Sequence, residues 1–176
     1  MKNNSLDIRI VADTQEDIFA DLRINKENNF MTIHDFLVEN FHLDKLEMSS
    51  FFYSNDDWDK GEEITLMNMN IEDEETVKYM ESITINEVFQ QKKLKFLYVN
   101  DFLNMNIFYV EILKESDIEN DQTLHLLHKL GEYEAKKSGD NLSLKDGNKL
   151  SEVEDILNEG EEDDFNDFEE LDQDLY

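Results

Sequence analysis

The chain has 176 residues, 44 of them acidic and 16 basic, for a formal net charge of −28 at neutral pH. That balance argues against a surface built to neutralise phosphates, and with only Arg9 and Arg23 the guanidinium forks that read guanine edges are nearly unavailable. Anionic membranes are disfavoured on the same grounds, and the absence of cysteine removes disulfides, thiolate metal sites and cysteine nucleophiles together.

Taken in chain order, Leu6, Ile8 and Ile10 alternate with Asp7 and Arg9, which is strand periodicity with one wet face. Ile18, Ala20, Leu22 and Ile24 repeat the pattern, and the polar stretch 13–17 between them predicts a hairpin. Thr32 reads as the N-cap of a helix answered by Asp35, with Ile33, Phe36, Leu37 and Phe41 on one apolar stripe. His34 and His42 flank that helix and read as packing or capping residues.

Ser50 to Tyr53 is strand-like. The acidic run from Asn55 to Glu63 invites a calcium reading, with oxygen ligands at Asn55, Asp57 and Asp59. Its glycine arrives one place late and its twelfth position is Leu66, so the match fails and a solvated turn pinned by Trp58 is expected. Thr84, Asn86 and Glu87 open a second, shorter helix. Leu94–Val99 and Ile107–Leu113 are the strongest strand signals, apolar on nearly both faces and joined closely enough to pair antiparallel.

From Glu115 the character changes. Leu126, Leu130 and Tyr133 suggest a helix over 122–137, in which His125 and His128 would share a face as surface histidines. Ser138 to Asn141 breaks it, and the remainder combines low hydrophobicity with high charge, the composition of a disordered tail. Thirteen acids and no base follow Lys149, and spliced among them are Phe165, Phe168, Leu171, Leu175 and Tyr176. A helix would gather four of these along one side, the pattern of a segment that orders against a basic, apolar groove.

The expected fold is therefore α+β: a mainly antiparallel sheet with two short capped helices over residues 1–115, a helical extension over 116–137, and a linker followed by a disordered acidic tail over 138–176. Taken in order, the segments through Phe51-Phe52-Tyr53, Asp57-Trp58-Asp59-Lys60-Gly61, Thr84–Phe89, Tyr98–Phe102 and Phe108–Ile112 resemble the plasmid pRiA4b ORF-three-like family of mobile-element passengers, over about residues 5–114. The resemblance implies an α+β domain on an antiparallel sheet and no particular activity. The family's second strand often carries Trp-Arg-Arg, of which only Arg23 is an echo here, and its Asp-Phe is often followed by Gly-Asp, whereas Asp101-Phe102 is followed by Leu103-Asn104.

No phosphate loop, nucleophile elbow or metalloprotease motif occurs, so no catalytic residue, metal or cofactor is expected. The leading expectation is a non-enzymatic interaction module in the cytoplasm, using its acidic surface and tail to engage a basic protein, with nucleic-acid-handling proteins the class considered. Neither nucleic acid nor membrane is an expected direct partner. The alternative is a small-molecule-binding domain or enzyme with a pocket near Trp58, Tyr98, Asp101 and Glu111. A third reading, DNA binding through Lys92, Lys93 and Lys95, is set against the overall charge.

Overall fold

A computed structural model describes residues 4–67, 78–116 and 123–137. The alternating segments at the start form β1 (Ser5–Ala12) and β2 (Phe19–Asn25), an antiparallel hairpin in which Ile8 faces Leu22 and Ile10 faces Ala20. The chain continues through α1 (Phe30–Asn40), β3 (Ser49–Ser54), β4 (Lys60–Thr65), α2 (Ile85–Gln90), β5 (Lys95–Asn100), β6 (Asn106–Ser116) and β7 (Leu124–Leu130). All seven strands belong to one antiparallel sheet in the order β4-β3-β5-β6-β1-β2-β7.

The α+β expectation is overturned by this architecture. Among the described residues, two helices, of 11 and 6 residues, lie against a seven-stranded sheet that dominates the fold. The helical extension over 116–137 is overturned as well, since Leu124–Leu130 is a strand paired with β2. Its leucine spacing imitates a helix because the register shifts between Asp21 and Leu22, where β7 spends two residues against one. The bulge puts His125 opposite Arg23 and His128 opposite Asp21, on one face of the sheet although they are three apart.

Two local corrections follow. The cap of α1 is Asn29 rather than Thr32: the Asn29 side chain accepts a hydrogen bond from the Thr32 amide, and the helix begins three residues earlier than the Thr32 reading placed it. The acidic run is only half turn, because residues 60–65 form edge strand β4, with Ile64 alone fully inward. Thr84 does cap α2, accepting from the Glu87 amide at 3.2 Å. The tail residues Phe165, Phe168, Leu171, Leu175 and Tyr176 lie outside the described residues.

Strand alternation divides the sheet into two faces. One carries Leu6, Ile8, Ile10, Leu22, Ile24, Phe51, Phe96, Tyr98, Phe108 and Val110, all fully buried with Phe30, Ile33, Leu37, Phe41, Ile85 and Val88 from and beside the helices. Aromatic rings knit this core: Phe30 lies 5.0 Å from Phe51 and 4.9 Å from Phe96, and Phe41 lies 4.9 Å from Phe108. The opposite face is open among the described residues. Among these residues no helix is long and apolar enough to cross a membrane.

Candidate functional site

The same alternation decides where the four candidate pocket residues go. Lys95 pairs with Glu111 and Leu97 with Tyr109, so these side chains share the open face, while Tyr98 pairs with Phe108 in the core. Trp58 sits in the β3–β4 turn at φ 62°, a left-handed conformation uncommon for a bulky residue. Its ring meets Tyr109 edge-on at 5.0 Å, with the Lys95 ammonium 5.2 Å from its centre. Lys95 Nζ also lies 3.0 Å from Asp56 and 3.9 Å from Glu111. Trp58 and Glu111 thus meet around Lys95, and Tyr98 is on the other side of the sheet.

Asp101 occupies a third place, the β5–β6 turn, again in a left-handed conformation at φ 57°. Its carboxylate accepts from the amides of Leu103 and Asn104, each at 3.1 Å, and from the Asn104 side chain. The Asn104 side chain, followed by those amides, holds the Asp101 carboxyl below its ordinary value. Asp101 is therefore an acceptor already spent on its own turn. It forms part of the wall of a cavity of about 450 Å³ with Asp44, Glu47, Asn104, Asn106 and Lys136.

The open face carries something the sequence alone did not reveal. Lys95, Glu111, Arg9, Asp21 and His128 stand in direct register across five neighbouring strands, alternating in sign with the histidine at the end. Beside them run Lys114, Asp7, Arg23 and His125. Arg9 forks onto Asp21 at 2.7 and 2.8 Å, and Arg23 forks onto Asp7 at 2.7 and 3.1 Å. The Arg9 hydrogen bonds hold the Asp21 carboxyl below its ordinary value. Cross-strand pairs of this kind fix register, and bidentate forks are the stronger sort. Phe52, Leu97, Tyr109, Val11 and Phe19 form an apolar row alongside.

Of the lysines considered for DNA, Lys93 and Lys95 meet different surroundings. Lys93 lies 4.3 Å above Tyr53, whose ring packs on core residue Phe96, while Lys95 is on the open face between carboxylates.

His34, read from the sequence as a packing or capping residue, is a packing residue within α1. It lies on the apolar stripe of α1, four residues after Phe30, and is only 5% exposed. Its Nδ1 is 2.9 Å from the Tyr98 hydroxyl. Burial pushes the imidazole below its ordinary value, opposed by the nearby Asp35 charge, and burial raises the Tyr98 phenol. A histidine whose folded-state value is depressed costs stability in acid, because the unfolded chain takes up the proton first. Stability is therefore expected to fall as pH drops below about 6.5 and to level off below the folded-state value, with a slope of at most about 1.4 kcal/mol per pH unit from this residue. Urea titrations of the wild type and His34→Gln across this range check it; a slope unchanged in the variant contradicts it.

No protein-family model matches the chain, and no curated protein matches it. Among solved structures the chain is similar to a crystal structure of a protein of unknown function from Methanosarcina mazei Go1. The TM-score is 0.58 at 12% identity, over 71% of this chain and 68% of that one. That likeness shows a shared fold.

Proposed function

We propose that this protein is a non-enzymatic interaction module that engages a basic protein through its acidic surface and tail. One observation carries the reading: both arginines of a chain of net charge −28 are forked onto carboxylates of its own sheet. The strongest phosphate-reading groups are therefore committed internally, and the surplus that remains outside is acidic. A partner of positive charge is favoured, and free nucleic acid and anionic membrane are not. Proteins that handle nucleic acid are a fitting partner class, since a surface made for phosphate and base accepts carboxylates studded with aromatics. The order of segments over about residues 5–114 supports placing the domain with the pRiA4b ORF-three-like proteins, and the cysteine-free composition supports the cytoplasm. The rival pocket of Trp58, Tyr98, Asp101 and Glu111 gains nothing from the geometry, which distributes these residues over three places.

Deleting residues 151–176 is expected to weaken such a complex and to flatten its dependence on salt, because the deletion removes thirteen acids and no base. Affinity measured for the full chain and for residues 1–150 over a salt series checks this. Equal affinities at every salt concentration contradict it.

A further inference from the structure

The open face of the sheet is charge-balanced in a chain of 44 acids and 16 bases. Its forks cancel Arg9 against Asp21 and Arg23 against Asp7, and Lys95 lies between Glu111 and Asp56. Lys60, 4.1 Å above the Phe52 ring, and Lys114 add two bases, and Glu63 adds an acid. Two copies of so acidic a chain repel wherever carboxylates are in surplus. A face without that surplus is where they can meet.

The rows on this face are also self-complementary. Four charges alternate along Lys95, Glu111, Arg9 and Asp21, one each on β5, β6, β1 and β2. An even alternating row turned end for end sets every charge opposite its contrary. The axis of that turn runs along the strands between β6 and β1. It sets Lys114 opposite Asp7 in the next row, since these two pair across the same strands. It also halves the apolar row, which Leu130 extends on β7 beside Phe19, so that six residues run from Phe52 on β3 to Leu130. Tyr109 then meets Val11, large against small, and Leu97 meets Phe19. Leu130, 46% exposed, meets Phe52 and the 40% exposed Phe102 ring that stands edge-on to it at 6.4 Å.

We propose that the open face binds a second copy of this chain, the two sheets packed face to face about a two-fold axis between β6 and β1. Packed sheets lie about 10 Å apart with strands about 30° from parallel, so the rows match most closely beside the axis. Glu111 with Arg9, Lys114 with Asp7, and Tyr109 with Val11 are the pairs that stand there. From β4 to β7 the face spans about 29 Å, and a seven-residue strand about 23 Å, a flat footprint of about 670 Å². Side-chain relief brings that near the about 800 Å² per partner that a stable interface buries. No tail residue takes part, so this proposal and the basic-partner reading fail separately.

The test is sedimentation equilibrium of the full chain and its charge variants. The wild type is expected to be a dimer in exchange with monomer. Lys95→Glu sets like charges against Asp21 of the second copy at both symmetric contacts, and Asp21→Lys does the same against Lys95. Each variant alone is expected to dimerise about tenfold more weakly or worse, about 1.4 kcal/mol. Mixed in equal amounts, the two variants meet opposite charges at both contacts, and association is expected to return to within about threefold of the wild type. Lys95 and Asp21 are three strand spacings apart in one copy, about 14 Å, so an effect on monomer stability does not produce that recovery. Leu130→Lys, at an exposed edge position, carries the test where a charge variant does not fold; it is expected to weaken the dimer at unchanged melting temperature. A wild type that stays monomeric up to about 1 mM overturns the proposal. So does a folded variant that dimerises alone as tightly as the wild type, or a mixture that associates no better than its components.

Discussion

Phe108→Ala is expected to destabilise the domain by about 3–5 kcal/mol, the range for removing a large aromatic side chain from a packed core. Phe108 is fully buried on the central strand β6, 4.9 Å from Phe41, 4.8 Å from Tyr133 and 6.1 Å from Tyr98. Those three rings come from the end of α1, the segment after β7, and β5, so one truncation loosens three elements at once. Tyr133 is also tied by its hydroxyl to Asn106 at 2.7 Å, which limits how far the surroundings can collapse into the void. Urea denaturation checks this through a lowered midpoint at unchanged slope. A loss below about 1 kcal/mol would contradict the packing described.

Asp7→Ala is the second large effect, about 2–4 kcal/mol. Asp7 is 6% exposed and supplies both acceptors of the Arg23 fork, with Lys114 4.0 Å away. Removing one member of a buried ion pair typically costs about 3–5 kcal/mol, chiefly because the other charge stays enclosed. The Arg23 side chain keeps some solvent access, which lowers the expectation. The double variant Asp7→Ala/Arg23→Met should recover part of the loss, since it removes the enclosed cation together with its partner. Denaturation of both variants settles the matter: a double variant less stable than Asp7→Ala would mean the fork is not where the loss arises.

Much of the sheet was legible because its strands obey period two. The β1–β2 hairpin and the β5–β6 pair were written in residues such as Ile8, Ile10, Val110 and Ile112. Two strands were not, for different physical reasons. In β4 four of six residues are exposed, the charge serving to blunt an edge against pairing with other chains, so no apolar pattern was left to read. In β7 a bulge breaks the alternation and leaves leucines at helix-like spacing. Missing both is what gave an α+β reading with a helical extension to a fold that is sheet-dominated.

The candidate site was legible by residue type and not by position. Trp58, Tyr98, Asp101 and Glu111 are all distinctive, yet grouping them ignored parity: Glu111 pairs with Lys95, and Tyr98, three residues on, must face the other way. The charge rows across the open face depend on registers between strands distant in sequence, which no local pattern encodes. The packing role of His34 was legible, because a histidine four residues after a buried phenylalanine shares its side of a helix, whereas its bond to Tyr98 was not.

The central claim is that the acidic chain engages a basic protein. Its most direct test is affinity purification from the native host over a salt series, with full-length protein and residues 1–150 side by side and recovery read by mass spectrometry. The predicted result is a basic protein recovered by the full chain, lost at high salt and depleted with the truncated one. The same proteins recovered by both, at every salt concentration, would contradict the account.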